Sequence, residues 1–496
     1  DVTSDFVSGD TITISDLSFT NFTAQNTATS ALSVRTGGAG DVTTEGYDSK
    51  TVTIDGGFNL TDYTLYDTIT IPASNIDSDL TDFPVYVDLA DLTSTFWATT
   101  PSASNTVATD IRVTTIGGTE LPRELVAASS TLQTGELHFK APLLSSTTDT
   151  SFRIWYNGTT TGDYNIAGTY GAENVWSNDY VVVLHLEEEG NSDANGYLDS
   201  TSYDNDATGS SISAGAELGG QLGRGVDLDG TLDYLDFGQN GLPFGLNDRT
   251  ISAWVNPDTI SLTQIIVGYG NGGGNNYHGL TRSSDSLRWG GSNTSSTYQD
   301  EDAFFTAGNT HHIVTIFDGS AILGYGNGVY FGGQTESQNL SQSTARIGNG
   351  NIAYYWDGLV DEVRIASTTR SLDWIEAEYL NQSDSTAFYE VLADSLIVSS
   401  DNQAFVTGQA DAVISPVTIT EGSSPSITAA NDLRIFIATS SVAMEWDTTD
   451  TTVTVTGTSS SKVSSTVSYE GNGSILVLDV TSDFVSGDTI TISDLS

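Results

Sequence analysis

The stretch TISAWVNP (residues 250–257) decides the fold class of this chain, and DEVRI (361–365) repeats its pattern further along. Both alternate apolar with polar side chains, as a β-strand with one buried face requires. Strand-like stretches surround them, among them GVDLDGTLDYLDFG (225–238) and HHIVTIFDG (311–319). Good helical spacing of apolar residues occurs only in LDWIEAEY (372–379). The sequence therefore predicts an all-β protein.

Residues 169–392 resemble the laminin-G/concanavalin-like jelly roll. The stretches quoted above occur in that family's order, together with YVVVLHLEE (180–188), DSTSYDNDATG (199–209), GNGVYFGG (326–333), ARIGNG (345–350) and DGLVDEVRI (357–365) leading to RSLDWIEAEY (370–379). The resemblance implies a sandwich of two antiparallel sheets.

Residues 56–168 resemble a small β-sandwich domain of unknown function that often accompanies laminin-G-like domains in bacterial surface proteins. The resemblance is carried by Phe83-Pro84-Val85, Asp110-Ile111-Arg112, Leu121-Pro122 and Trp155-Tyr156-Asn157-Gly158. It implies a fold and an extracellular, cell-surface location, but no reaction.

The two ends of the chain have the same sequence. DVTSDFVSGDTITISDLS (1–18) recurs without a change at 479–496, which is a spacing of 478 residues. Solenoid repeats are about 20 to 50 residues long, so a period of this length indicates a string of whole domains. The sequence resembles a tandem-repeat bacterial surface protein or adhesin.

The strands near the two ends predict a third, Ig-like β-sandwich that is split across the repeat boundary. Residues 1–55 would be its C-terminal half, 413–496 its N-terminal part, and 393–412 a linker or strand. Two arrangements complete such a sandwich. The repeats are continuous in one longer polypeptide, or separate subunits complete one another by strand addition. Both produce a fibre of neighbouring copies.

The charge of the chain excludes several partners. With 64 acidic and 15 basic residues, the formal net charge is −49. Nucleic acids and anionic membranes attract basic surfaces, so neither is an expected partner. The longest apolar run, Tyr180 to Leu184, is far shorter than the roughly 20 residues of a membrane helix, so no membrane insertion is expected in this segment.

A polar loop is the first candidate site. Asp199, Asp204, Asn205 and Asp206 lie close together in the sequence, and laminin-G-like domains commonly bind calcium at this loop with an acidic residue of the closing strand, which Asp361 matches. Calcium prefers six to eight oxygen ligands, which such a loop offers. The resemblance therefore implies a structural Ca²⁺ ion as cofactor. The alternative is that these residues form only Asx turns.

Aromatic side chains near the jelly-roll loops are the second candidate site. Tyr277, Trp289, Tyr355 and Trp356 are candidates for stacking on sugar rings, although aromatic residues of strands often belong to the core. His311 and His312 are adjacent on a strand and point to opposite faces, so they predict no zinc site.

Together these features predict a structural repeat of a giant extracellular fibre or adhesin stalk, stabilised by calcium. The alternative is a glycan-binding, lectin-like module that grips a polysaccharide. No pair of carboxylates is marked out by spacing as a catalytic pair, so no enzymatic activity is expected.

Overall fold

Within the chain, the computed structural model describes residues 26–29, 33–35, 44–47, 51–54, 62–63, 65–99, 107–158, 162–188, 194–213, 216–271, 276–291, 298–350, 354–393, 396–399, 414–421, 427–430, 432–436, 445–485 and 487–495. Contacts divide the chain into two compact units, Asp1–Thr61 and Asp62–Ser496. The prediction that residues 1–18 form strands lies outside the described residues.

The N-terminal unit contains two antiparallel strand pairs. Its strands are β1 (Asn26–Thr29), β2 (Ser33–Arg35), β3 (Thr44–Tyr47) and β4 (Thr51–Ile54). Strand β1 pairs with β4, and β2 pairs with β3, so the second pair lies between the two strands of the first along the chain. Strand β4 has the alternating sequence TVTI.

Residues 62–158 form a β-sandwich, here called the first sandwich. Its elements are β5 (Leu65–Ile71), β6 (Phe83–Asp88), α1 (Ser94–Thr99), β7 (Arg112–Thr115), β8 (Glu120–Leu121), β9 (Arg123–Ser129), β10 (Thr134–Ala141) and β11 (Thr150–Tyr156), with 3₁₀ turns at Ala73–Asn75 and Leu89–Asp91. One sheet has the order β6-β10-β9, and the other contains β5-β11-β7-β8. Side chains from both sheets share one core.

The jelly roll follows a short helix, α2 (Ala172–Val175). Its strands are β12 (Tyr180–Leu184), β13 (Ala207–Ser210), β14 (Glu217–Gly219), β15 (Arg224–Asp229), β16 (Tyr234–Phe237), β17 (Arg249–Pro257), β18 (Thr263–Gly270), β19 (Tyr277–Ser283), β20 (Ser286–Gly290), β21 (Tyr298–Glu301), β22 (His311–Phe317), β23 (Ala321–Gly326), β24 (Val329–Thr335), β25 (Thr344–Ile347) and β26 (Asp357–Ala366).

These strands form two antiparallel sheets that enclose one apolar core. The eight-stranded sheet has the order β14-β15-β26-β17-β22-β23-β24, and β12 also pairs with β26. The seven-stranded sheet has the order β13-β16-β25-β18-β19-β20-β21. The core contains residues of both sheets, such as Ile251 and Ala253 opposite Val267 and Leu280. The predicted all-β class and the concanavalin-like sandwich are confirmed.

Strand β17, which contains the alternating TISAWVNP sequence, differs from expectation on its polar face. Ile251, Ala253 and Val255 enter the core as predicted. The opposite face is also buried, because Trp254 stacks on Tyr379 of a covering helix with ring centroids 5.7 Å apart. A pattern that indicates one buried face therefore belongs here to a strand that is buried on both.

The segment after the jelly roll, residues 372–393, returns to the first sandwich. It consists of α3 (Leu372–Ser383), α4 (Ser385–Phe388) and β27 (Glu390–Ala393). Strand β27 pairs with β5 as an additional edge strand, and Asn381 hydrogen-bonds both the N–H and the C=O of Tyr86 on the edge strand β6. The sequence assigned this segment to the jelly roll, whereas its contacts cover one edge of each sheet of the first sandwich.

Residues 396–495 form the C-terminal sandwich. Its strands are β28 (Leu396–Ser399), β29 (Val417–Thr420), β30 (Leu433–Phe436), β31 (Thr454–Thr456), β32 (Val463–Glu470), β33 (Ile475–Val480) and β34 (Thr489–Ser493), with 3₁₀ turns at Ser460–Lys462 and Gly471–Gly473. The sheets have the orders β28-β29-β34-β31 and β30-β33-β32, and their side chains share one core.

The repeated segment 479–496 supplies an interior strand of this sandwich. Strand β34 lies between β29 and β31, and its Ile490 and Ile492 are fully buried. That residues 1–55 complete a sandwich of this kind stays a prediction. Across the described part of the chain, every helix is too short or too polar to span a membrane.

Candidate functional site

The outer face of the seven-stranded sheet carries a partly exposed group of polar and aromatic side chains. On β16, Leu235 and Phe237 point into the core, so the alternating Tyr234 and Asp236 point outward. On the neighbouring strand β25, Arg346 lies between two core residues and also points outward. The register places Arg346 directly opposite Asp236.

These side chains form what is here called the tyrosine–arginine patch: Tyr234, Asp236, Arg346 and Tyr355. Nε of Arg346 donates to Oδ1 of Asp236 at 2.6 Å, and the guanidinium lies 4.4 Å from the centroid of the Tyr234 ring. The Tyr355 ring lies 6.5 Å from the Tyr234 ring, centroid to centroid. The Asp236 and Arg346 side chains are 48% and 22% exposed, and both tyrosines are half-buried.

The patch combines two kinds of binding surface. Tyrosine rings present apolar faces with a polar tip, and the arginine stacked on Tyr234 is held in one orientation by its carboxylate partner. Small-molecule sites typically combine apolar or aromatic walls with a few fixed polar groups. The arrangement therefore suits a ligand with both apolar faces and hydroxyl groups.

A second ion pair extends the same face. Arg288 on β20 makes a two-pronged contact with Asp300 on β21, at 2.7 and 3.0 Å. Between the two ion pairs, the Tyr277 ring lies over Gly268 and Gly279, where a Cβ atom would approach ring carbons to 2.6 and 3.0 Å. Glycine is needed at both positions because a larger residue would collide with this ring.

The structure corrects the expectation for three of the four predicted sugar-stacking residues. Tyr277, Trp289 and Trp356 are at most 3% exposed, so their rings have no open face for a sugar. Trp289 and Trp356 belong to the core between the two sheets. Tyr355 is the predicted residue that the structure leaves half-exposed, and it belongs to the patch.

The predicted calcium loop is a network of hydrogen bonds. Asp199 accepts from the backbone N–H groups of Val183, Thr201 and Asn205, while Oδ1 of Asp206 accepts from the N–H of Asp199. Burial raises the pKa of Asp199, and the hydrogen bonds from Val183 and Asn205 oppose that shift. This is the turn arrangement that the sequence left as the alternative, and calcium at the loop stays a prediction.

Two other predicted calcium ligands, Asn205 and Asp361, form hydrogen bonds with backbone groups outside the loop. The side-chain amide of Asn205 donates to the carbonyls of Val181 and Asn240. Asp361 is fully buried on β26, where its Oδ2 accepts from the N–H groups of Gln221 and Leu222. Among described residues, the predicted carboxylates do not form a group of three or more with metal-ligand spacing, and Asp204 lies exposed in the same loop.

Sequence reasoning missed Tyr234, Asp236 and Arg346. The alternating YLDF sequence (234–237) does indicate that Tyr234 and Asp236 share one face of a strand. The sequence offers no signal that β25 lies beside β16. The end of β16 and the start of β25 are separated by 106 residues, which is far too many for a local turn. Only the sheet order brings Arg346 to this face.

Comparison with known proteins agrees with this architecture. A family model described as the concanavalin A-like lectin/glucanases superfamily (Laminin_G_3) matches residues 229–376, which is less than a third of the chain. A search of curated protein sequences finds no match.

Several solved structures are similar to part of the chain. Domain 4 of AbnA, a GH43 extracellular arabinanase from Geobacillus stearothermophilus in complex with arabinotriose, is 20% identical, with a TM-score of 0.30; the match covers 40% of this chain and 96% of that one. The botulinum neurotoxin serotype C1 binding domain is 11% identical, with a TM-score of 0.31, covering 41% of this chain and 52% of that one.

A third similar structure is the Ruminococcus gnavus IT-sialidase CBM40 bound to α2,3 sialyllactose, with 15% identity, a TM-score of 0.28, and coverage of 31% of this chain and 96% of that one. The match of residues 229–376 to the family model identifies a concanavalin-like jelly-roll domain in the middle of the chain.

Proposed function

We propose that the jelly roll is a glycan-binding module of an extracellular protein, and that it holds a polysaccharide on the outer face of its seven-stranded sheet. The tyrosine–arginine patch carries the proposal, because its two half-buried rings and its fixed ion pair lie on one face. All four residues fall within the segment that matches the lectin/glucanase family model.

The charge of the chain narrows the ligand class. A net charge of −49 repels polyanions over a distance of about 10 Å at 0.1 M salt. The arginines of the binding face do not offset this repulsion, because Arg346 and Arg288 are each neutralised by an aspartate. We therefore propose a neutral polysaccharide as the ligand.

Removing either tyrosine ring should weaken glycan binding. We expect Tyr234→Ala and Tyr355→Ala each to lower the affinity for the best ligand of a neutral-glycan array by about tenfold, since a stacked aromatic ring contributes about 1 kcal/mol or more. Isothermal titration calorimetry measures the change. Tyr330→Ala is the matched control, because Tyr330 is an exposed tyrosine of the eight-stranded sheet.

Equal affinity in wild type and both patch variants would contradict the proposed face. Absence of binding to every glycan at millimolar concentration would contradict the function itself. We also propose that the module binds without cleaving. Incubation with the bound polysaccharide should release no new reducing ends, and their appearance would show an enzyme instead.

Calcium at the Asp199–Asp206 loop is part of the proposal and has its own test. We expect Ca²⁺ at saturating concentration to raise the melting temperature of the wild-type protein by roughly 3 °C, and EGTA to reverse the rise. The Asp204→Ala variant should not respond. A melting temperature that is the same with Ca²⁺ and with EGTA would contradict calcium binding at this loop.

A second candidate function is a repeating unit of an extracellular fibre. One observation favours it: the segment 479–496, which is identical to 1–18, supplies the interior strand β34 and several core residues of a sandwich. Two identical segments have the same capacity to fill that place. Head-to-tail association of neighbouring copies would then place the glycan-binding face at regular intervals along the fibre.

A further inference from the structure

We propose that four buried side chains between the first sandwich and the jelly roll bind one divalent transition-metal ion, with zinc as the best fit. Glu136 and His138 belong to β10 of the first sandwich, His185 follows β12 of the jelly roll, and Glu362 belongs to β26. They are here called the interface cluster. The inference is independent of glycan binding, because the tyrosine–arginine patch belongs to the other sheet of the jelly roll.

The donor atoms of the interface cluster already lie close together. Oε1 of Glu136 is 2.8 Å from Nε2 of His138 and 3.2 Å from Nδ1 of His185, and Oε1 of Glu362 is 2.5 Å from that same Nδ1. All four ligand atoms lie within 4.8 Å of one another. Ligand atoms of a tetrahedral zinc site are roughly 3.4 Å apart, so shifts of about 1 Å or less would produce one.

Two polar atoms of the cluster lack a partner. Glu136 and His138 are at most 1% exposed, yet in the described structure Oε2 of Glu136 and Nδ1 of His138 form no hydrogen bond. Buried polar groups are nearly always hydrogen-bonded, and exceptions require a specific reason. Oε2 of Glu136 is therefore open to a cation bound between these side chains, whereas Nδ1 of His138 is the ring nitrogen that does not face Glu136.

The excess of acidic groups around the interface cluster also favours a bound cation. Arg364 contacts Glu362 at 2.5 Å and Glu378 at 2.8 Å, and the two histidines are the other basic groups of the network. More acidic than basic groups converge here, and the acidic side chains are Glu124, Glu136, Asp361, Glu362 and Glu378. An uncompensated buried carboxylate is costly, so this region takes up protons or a metal ion.

Other side chains hold the ligands in orientation. Nε2 of His185 lies 3.3 Å from Oε2 of Glu124, and Arg364 binds Oε2 of Glu362 through Nε and Nη2 at 3.0 and 2.5 Å. Metal-binding histidines almost always contact a carboxylate or carbonyl through their second nitrogen, and metal-binding carboxylates are themselves hydrogen-bonded. In the interface cluster, His185 and Glu362 have such partners.

The donor set selects the type of metal and its role. Two imidazole nitrogens and two carboxylate oxygens suit zinc, whereas calcium prefers oxygen ligands only. Four protein ligands in a buried position close the coordination sphere, which is typical of a structural site rather than a catalytic one. Since two ligands come from the first sandwich and two from the jelly roll, the ion would link these two domains.

Metal loading of the full-length chain tests this inference. The protein is stripped with a chelator, titrated separately with Zn²⁺, Mn²⁺ and Ca²⁺, and followed by thermal unfolding and by elemental analysis after gel filtration. We expect one zinc ion per chain and a rise of about 5 °C in melting temperature at saturating Zn²⁺. X-ray absorption of the bound zinc should show two imidazole and two carboxylate ligands.

The Glu136→Gln variant separates metal binding from a purely structural role. It removes a ligand and a buried acidic group, so the metal-free variant should be at least as stable as the wild type but lose the response to Zn²⁺. Glu376→Gln is the matched control, because Glu376 of α3 belongs to a separate and more exposed acidic group, with Asp77 and Asp373, that contains no histidine. The inference fails if zinc binds substoichiometrically to the wild type, or if Glu136→Gln responds to Zn²⁺ as the wild type does.

Discussion

Replacing Arg364 with leucine should destabilise the body formed by the first sandwich and the jelly roll by about 3–5 kcal/mol. The guanidinium is 1% exposed and neutralises two carboxylates, Glu362 and Glu378. Removing one partner of a buried ion pair leaves charge without compensation, and such changes typically cost this much. Hydrogen exchange of the β10 and β26 amides measures the loss in that body.

The same variant should become more sensitive to alkaline than to acidic conditions. In the wild type, burial raises the pKa of Glu378, and Arg364 lowers it. Without Arg364, the folded-state pKa of Glu378 rises further above the unfolded value. The stability that protonated Glu378 provides is complete at low pH and is lost as the pH rises through the folded-state pKa.

Arg434→Leu is the matched control for Arg364→Leu. Arg434 also makes a two-pronged contact with a glutamate, Glu470, but both side chains are more than a third exposed. Water replaces such a partner at little cost, so Arg434→Leu should hardly change the hydrogen exchange of the β10 and β26 amides. Similar effects for the buried and the exposed arginine would contradict the role of burial in this network.

The strands were predictable from sequence because alternation is a local property. TISAWVNP enters the core through Ile251, Ala253 and Val255, and the short helical pattern at 372–379 became the longest helix, α3. Alternation does not report what covers the outer face. Trp254 is buried because α3 folds onto it, and that contact joins residues more than a hundred positions apart.

The strand that covers an edge of the first sandwich could not be predicted either, because it also comes from a distant part of the sequence. Strand β27 pairs with β5 across more than 300 residues, with Glu390 opposite Thr70. The sequence EVLA is also too short and too ordinary to mark its partner. Domain limits drawn from the order of motifs therefore placed this strand with the jelly roll, its neighbour in sequence.

The candidate sites were predictable only in part. Tyr355 was selected from its position near a loop, and it does belong to the patch, whereas the three buried aromatics satisfy the same sequence criterion. Local spacing does not connect the two halves of the interface cluster, which come from different sandwiches. His138 and His185 occur in separate strand motifs that were attributed to two different domains, and their rings stack 5.0 Å apart only in the folded chain.

Deleting the C-terminal copy of the repeat, residues 479–496, should convert the chain from a monomer into a head-to-tail polymer. The deletion removes β34, which separates β29 from β31, and with it the core residues Phe484, Ile490 and Leu495. The remaining sandwich exposes strand edges and an apolar groove, which are templates for strand addition. Residues 1–18 of another chain have the identical sequence and therefore fill the groove.

Size-exclusion chromatography with light scattering distinguishes the outcomes. The full-length chain should elute as a monomer, because its own segment 479–496 occupies the place between β29 and β31. The chain 1–478 should form polymers that grow with protein concentration. The chain 19–478 lacks both copies, so it should stay monomeric with an unfolded C-terminal sandwich, and addition of a peptide with sequence 1–18 should refold it. Monomeric behaviour of the chain 1–478 would mean that the two identical segments are not interchangeable, and the fibre function would lose its structural basis.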